Sequence, residues 1–308
     1  MSGMNPCRRR LLGLPLLLPA SALLSACGRE TPVAMPEYVA RARPETEKVF
    51  RLGVHLGHHP RKLDQAFSPL MRFLSRRIPE ARFELEGSRG FSHFEDKLRT
   101  RQLDFAMPNP YQAVLAQDWG YRVIAEAGDS GDFRGVFIVR ADSGIREPAD
   151  LKGKAVAYPA PTALAAGMMP QLWLAKNGLN VRKDIDNRYV ESQESAILNA
   201  YMGESAAGAT WPPPWRAFQK AHPREAAQLR VIWETPPLIN NAVMARDDLP
   251  AELVERVRLA LIHLHEDGDG QRALAAMETA RIHAATDASY QVVRRFIAEY
   301  ESWVGPRP

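Results

Sequence analysis

From Val49 onward, short apolar runs alternate with segments whose apolar residues recur every three or four positions. That alternation restricts the chain to an α/β architecture more tightly than anything else it carries. The run "VFRLGVHL" reads as a strand, and after it Leu63, Phe67, Leu70, Leu74 and Ile78 fall on one face of a helix. "RFELEG" is a second strand. Ser92, with Glu95 three residues on, forms a capping box opening a helix through about Gln102. "LDFAMP" is a third strand, and Pro110 starts the next helix.

The strands "YRVIAEAG" and "FRGVFIVRAD" come next. "DLKGKAVAYP" and a helix from Thr162 to about Asn177, closed by Gly178, then restart the alternation and mark a second α/β domain. It continues through "NRYVES", a helix from Ser192 to about Met202, "AAGATW", a helix around "WRAFQKA", and "LRVIWET". After "PPLINNAVMARDDL" the pattern is helical to the end, so these helices are expected to dock on the first domain's sheet. The organisation predicted is a lobe of residues 48–142 with 240–308, a second lobe of 143–239, and hinges near 140–146 and 236–242. Two lobes joined by two crossings leave a cleft at the strand ends, a form that suits capture of a small ligand by closure.

The first 27 residues obey a different logic. Arg8, Arg9 and Arg10 precede the apolar run "LLGLPLLLPASALL", which ends at "LSAC", the pattern of an export leader. The stretch resembles the lipobox of bacterial lipoproteins, which implies that Cys27 carries a lipid anchor. Gly28 stands where inner-membrane lipoproteins tend to carry Asp, which leans towards the outer membrane. Residues 28–47, rich in Pro and charge, are expected to be a tether. Cys7 would leave with the leader and Cys27 would be acylated, so the folded body has no thiol for catalysis or metal binding. Of 40 Lys and Arg, the leader holds three arginines and no acid, leaving 37 against 36 Asp and Glu. That near balance gives no nucleic-acid footprint.

Enzyme signatures are missing. "GESAA" at 203–207 lacks the final Gly of a nucleophile elbow, and no phosphate-binding glycine loop or dinucleotide fingerprint comes after a strand. His55, His58 and His59 have no acid or Cys at ligand spacing. "EDGDG" lacks the spaced acids of a calcium loop and reads as a turn between helices. No metal or cofactor is expected, and the chain is expected to be a monomer.

In order along the chain, "GVHLGHHP", "LDFAMPNPY", "FIVRADSGIREPADLKGKAVAYPAP", "ESQESAILNAYMGE" and "DLPAELVERVRLALIHLHEDGDGQRAL" resemble the phosphate/phosphite/phosphonate-binding family of periplasmic solute-binding proteins of ABC transporters. The resemblance covers about residues 49–300. It implies a two-lobed, hinged binding protein that hands its ligand to a membrane permease. It also implies hydroxyl residues wrapping an anion at a helix start, in the stretch "PTALAAG" here. Thr162 keeps its hydroxyl, but Ala163, Ala165 and Ala166 have none to donate. A His common in the family aligns with Gln193, and an acid with Ala206.

Apolar groups stand nearby instead: Leu164, Met168 and Met169 along the helix start, with Trp211 and Trp215 bracketing "WPPPW". The ligand-binding candidates are Thr162, Ala163, Leu164, Tyr158, Met168, Trp211, Gln193 and Glu194. His55 and His58, after the first strand, and Asn109 and Tyr111, after the third, join them by fold position. Two ligands stay open: a phosphate- or phosphonate-type anion by the resemblance, and a sterol, hopanoid or other apolar molecule by the pocket's composition. A third alternative is a sensing subunit for a signalling partner.

Overall fold

The computed structural model describes residues 48–54 and 60–308. Cys27, the leader, the tether and His55, His58 and His59 lie outside them. The chain opens with β1 (Lys48–Val54), α1 (Pro60–Arg77), β2 (Ala81–Glu86), α2 (Phe91–Arg99), β3 (Phe105–Met107), α3 (Pro110–Asp118) and β4 (Tyr121–Ala127). Next come β5 (Val136–Arg140), β6 (Lys154–Tyr158), α4 (Met169–Lys176), β7 (Ile185–Tyr189), α5 (Gln193–Met202) and β8 (Ala207–Thr210). After these stand α6 (Pro212–Ala221), the short α7 (Pro223–Ala226) and β9 (Leu229–Glu234). The chain ends with β10 (Asn241–Arg246), α8 (Ala251–Ile262), α9 (Gly268–Ala276), β11 (Ile282–Ala284) and α10 (Gln291–Trp303).

These strands form two mixed sheets. The first has the order β11-β4-β10-β3-β1-β2 and the second β7-β6-β8-β5-β9. In the first, β1 runs parallel to β2 and β3, while β10 is antiparallel to both β3 and β4. In the second, β6 runs parallel to β7 and β8, and β5 is antiparallel to β8 and β9. The strand arriving from the other lobe, β5 or β10, therefore lies inside its sheet, so each crossing is rooted in a central strand.

Two expectations need correction. The chain leaves the first sheet after Ala127 and enters the second at Val136, so "FIVR" belongs to the second lobe and the boundary expected at residue 142 is too late. Val136 to Val139 are all buried, and a strand covered on both faces shows no alternation that assigns it to one sheet. The region after Leu249 is not purely helical either, because "IHA" is β11, and "NAVMAR", inside a stretch to which the sequence reading assigns no element, is β10. β10 is buried on four of its six residues and β11 is only three residues long, so neither shows a period-two signal.

The crossings run side by side. The Gly135 N–H donates to Thr235 Oγ1 and the Thr235 N–H to the Gly135 carbonyl, both at 2.9 Å. The Leu238 N–H donates to the Phe133 carbonyl at 2.9 Å. α10 packs on α3 of the first lobe and α4 of the second. There Tyr300 donates to Gln171 Oε1 at 2.6 Å, deep in the protein.

Candidate functional site

β6 delivers the chain to Ala160 and Pro161 at the interlobe cleft. The single α-helix expected from Thr162 does not form there. A wide π-type turn, Leu164–Met168, takes its place and feeds into α4. Such turns are uncommon and concentrate at functional positions. Ala163 holds the N-cap position, and no side chain caps the turn.

The first lobe supplies the opposing surface. α2 starts at Phe91 with Gly90 at the N-cap and no side-chain cap, so the capping box expected of Ser92 and Glu95 is not made. The Glu95 carboxylate instead turns to the other lobe, where Oε1 accepts the Thr162 hydroxyl at 2.7 Å, and the same oxygen accepts the carboxamide of Gln112 from its own lobe at 3.0 Å. Asn109 Nδ2 donates to the Thr162 carbonyl at 3.0 Å. Phe91, 8% exposed, packs across the cleft with Ala160, Ala163 and Ala166 in a small buried cluster. Alanine at these positions makes room for the ring, because a larger side chain would occupy the seat of Phe91.

Among the described residues, three spaces lie along the seam. The one at the helix start measures about 10 Å³ and is bordered by Phe91, Asn109, Ala163, Leu164, Gln193, Trp211 and Asn241 among others. That is room for one water at most. Beyond Phe91 and Gln193 opens a cavity of about 430 Å³, walled by Leu198, Pro214, Ala217, Phe218 and Ala221. Its polar rim includes Lys62, Ser192, Glu194 and His222. Beyond Trp211 and Asn241 lies a smaller space of about 80 Å³ with Val54, Phe67 and Met107 in its wall.

At the rim of the large cavity, Glu194 receives Lys62 from the opposite lobe at 2.9 Å and meets His222 at 3.0 Å. The Lys62 hydrogen bond, with help from His222, holds the Glu194 carboxyl below its ordinary value. Ser192 caps α5 by accepting the Ser195 N–H at 3.0 Å. Glu191, just before it, has a φ of 67°, a conformation costly for a side chain with a Cβ. Gln193 Oε1 accepts the Thr210 hydroxyl at 2.8 Å.

Of the residues singled out in the sequence, Thr162, Ala163, Leu164, Asn109, Gln193, Trp211 and Glu194 gather at this seam. Three do not. Tyr158 is fully buried behind β6, its ring 5.9 Å from that of Tyr189 and its hydroxyl without a partner. Burial pushes that hydroxyl's pKa well up. Met168 is wholly buried in the core, and Tyr111, 2% exposed, points its hydroxyl 3.4 Å from the Pro308 carbonyl, away from the seam. Trp215 stacks on Phe218 at 5.9 Å. His55 and His58 fall outside the described residues. Sequence reasoning missed Phe91, Glu95, Lys62, His222 and Asn241, whose Oδ1 is buried without a partner. Only the place of "GFSHFED" after the second strand pointed to Phe91 and Glu95.

Among the described residues, no cluster of three or more His, Cys, Asp or Glu could hold a metal ion. No described helix is long and apolar enough to cross a membrane.

Comparison with known proteins gives the class to which this cleft belongs. The model of the periplasmic substrate-binding proteins of phosphonate ABC transporters matches residues 52–290. A binding-protein component of an ABC phosphonate transporter from Pseudomonas aeruginosa is similar in structure at a TM-score of 0.76, 16% identical over 83% of this chain and 88% of that one. PhnD1 from Prochlorococcus marinus, solved with methylphosphonate, matches at 0.75 with 18% identity over 82% and 98%. A Xanthomonas citri protein solved with ATP matches at 0.68 with 20% identity over 83% and 98%. At these identities the neighbours establish the two-lobed binding-protein fold, and the family model supplies the class, a transporter's binding component and not an enzyme. The chain belongs to the family of periplasmic phosphonate-type substrate-binding proteins of ABC transporters.

Proposed function

We propose that this binding protein captures an elongated, largely apolar molecule with one small polar group, and delivers it to a membrane transport component. The observation that carries this reading is Phe91 seated on Ala160, Ala163 and Ala166 where the family resemblance implies anion-wrapping hydroxyls. A phosphonate there would lose two or three charge-assisted hydrogen bonds, each worth about 1.5 to 3 kcal/mol, which removes two or more decades of affinity. Rotating Phe91 and Trp211 would join the three spaces along the seam into one channel with aromatic and aliphatic walls. A sterol, hopanoid or other lipid has the required shape. Closure about the paired crossings at 128–135 and 235–240 would seal it from water. The anchor at Cys27, with the lean towards the outer membrane, completes the proposal and rests on the lipobox pattern.

The test is a native mass spectrum of the protein purified gently from bacterial cells, before and after organic extraction. A non-covalent adduct that leaves with the solvent is expected. A bare protein with a large thermal shift in methylphosphonate would overturn the reading in favour of the phosphonate-type anion, the ligand with which PhnD1 of Prochlorococcus marinus was solved.

A further inference from the structure

Glu95 and Thr162 join the two lobes beside the helix start. A threonine hydroxyl has one proton, and that of Thr162 is donated to Glu95 Oε1 at 2.7 Å. What Thr162 offers a ligand is therefore lone pairs. Glu95 is half-buried on the first lobe, and the donors on its Oε1, Thr162 and the Gln112 carboxamide, are both neutral. Neither brings a positive charge to offset the carboxylate. Asn241 Oδ1, buried without a partner, adds a further acceptor at the small space beside Asn109 and Ala163, where Ala163, next to Thr162, and Phe91, one turn before Glu95, stand in the wall. Among the described residues bordering that space there is no Lys, Arg or His.

We propose that Glu95 is a specificity-determining residue that selects ligands whose polar end donates hydrogen bonds, a hydroxyl or an ammonium, and rejects oxyanions. This rests on the reading of the cleft as a site for an apolar-bodied molecule and names its head group. Geometry makes the selection steep. An oxyanion accepting from Thr162 Oγ1 would first have to draw the hydroxyl proton away from its bond to Glu95. It would then sit within roughly 5.5 Å of that carboxylate, two hydrogen-bond lengths away. Like charges at that distance in a half-buried site cost about tenfold to a hundredfold in affinity. A hydroxyl donating to Thr162 Oγ1 gains a hydrogen bond without that repulsion, and an ammonium at the same spot gains a charge-assisted one.

The experiment is isothermal titration calorimetry with three probes that share a chain and differ in head group: octan-1-ol, octylammonium and octylphosphonate. Methylphosphonate serves as the chainless anion. Wild-type protein should bind one of the first two at least about tenfold tighter than octylphosphonate. The Glu95→Gln variant should shrink that ratio about tenfold, and Thr162→Val should leave the order of preference intact. Preference for octan-1-ol over octylammonium identifies a neutral alcohol as the natural head, and the reverse identifies an amine. Equal binding of all three octyl probes, unchanged in Glu95→Gln, overturns the proposal while leaving the apolar reading in place. Binding of methylphosphonate with no response to any octyl probe overturns both.

Discussion

Two helix starts face each other across the cleft, and they end their chains of hydrogen bonds in opposite ways. In the first lobe, α3 begins with Asn109, whose side chain accepts the Gln112 N–H while the Gln112 side chain receives the Asn109 N–H, and Pro110 fills the first turn. That start is satisfied by residues three positions apart. In the second lobe, the turn at Leu164–Met168 has no side-chain cap. It is covered by Phe91 from the other lobe and steadied through Thr162 by Glu95 and Asn109. A helix start that caps itself is a fixed part of the scaffold. One that does not takes its partner from tertiary structure, and that partner sets what the cleft can hold.

The contrast can be broken from either side. Phe91→Ala should have the largest effect, about 3 kcal/mol lost in urea unfolding, because it removes a buried ring from a well-packed seat. The same variant should join the small space to the large cavity. A loss below about 1 kcal/mol would mean that Phe91 does not hold the seam. Asn109→Ala should cost about 2 kcal/mol, the sum of a lost cap and a lost hydrogen bond to the Thr162 carbonyl. Thr162→Val keeps the carbonyl that Asn109 bonds, so the loss should be the same in that background, and a difference above about 1 kcal/mol would mean that the self-capped start depends on the Thr162–Glu95 bond.

The smallest effect concerns the rim. The Glu194 carboxyl is held below its ordinary value of 4.5, chiefly by Lys62. Its stabilisation is therefore complete above about pH 5 and fades as pH falls through the lowered folded value. Both side chains are well exposed, 58% and 42%, so solvent screening keeps the contribution to less than about 1 kcal/mol. Thermal melts from pH 6 down to pH 3 should show wild type losing that margin over Glu194→Gln. A margin that does not change with pH would sever the rim pair from closure.

Much of the fold is legible in the residues. The β-α alternation, the first five strands, the cap at Ser192 and the apolar tilt of "PTALAAG" all arise from local patterns with a period or a short spacing. The misses have a common cause. β5 and β10 are short strands buried on most of their residues, so neither declares its sheet. Tyr158 stands among the cleft candidates and ends a strand, yet its side chain points into the core, a choice made by the pleat and by the elements packed there.

Glu95 shows most clearly how the two kinds of information divide. Its spacing from Ser92 is that of a capping box, but its carboxylate lies against Thr162, 67 residues away. What the chain determined by itself was the set of elements, because backbone hydrogen bonding and side-chain periodicity are local. What only the tertiary structure decided was the content of the cleft. The two lobes bring Phe91, Glu95, Thr162 and Trp211 together from distant stretches, and whether an unsatisfied helix start meets an anion, a carboxylate or a ring depends on which surface folds opposite it.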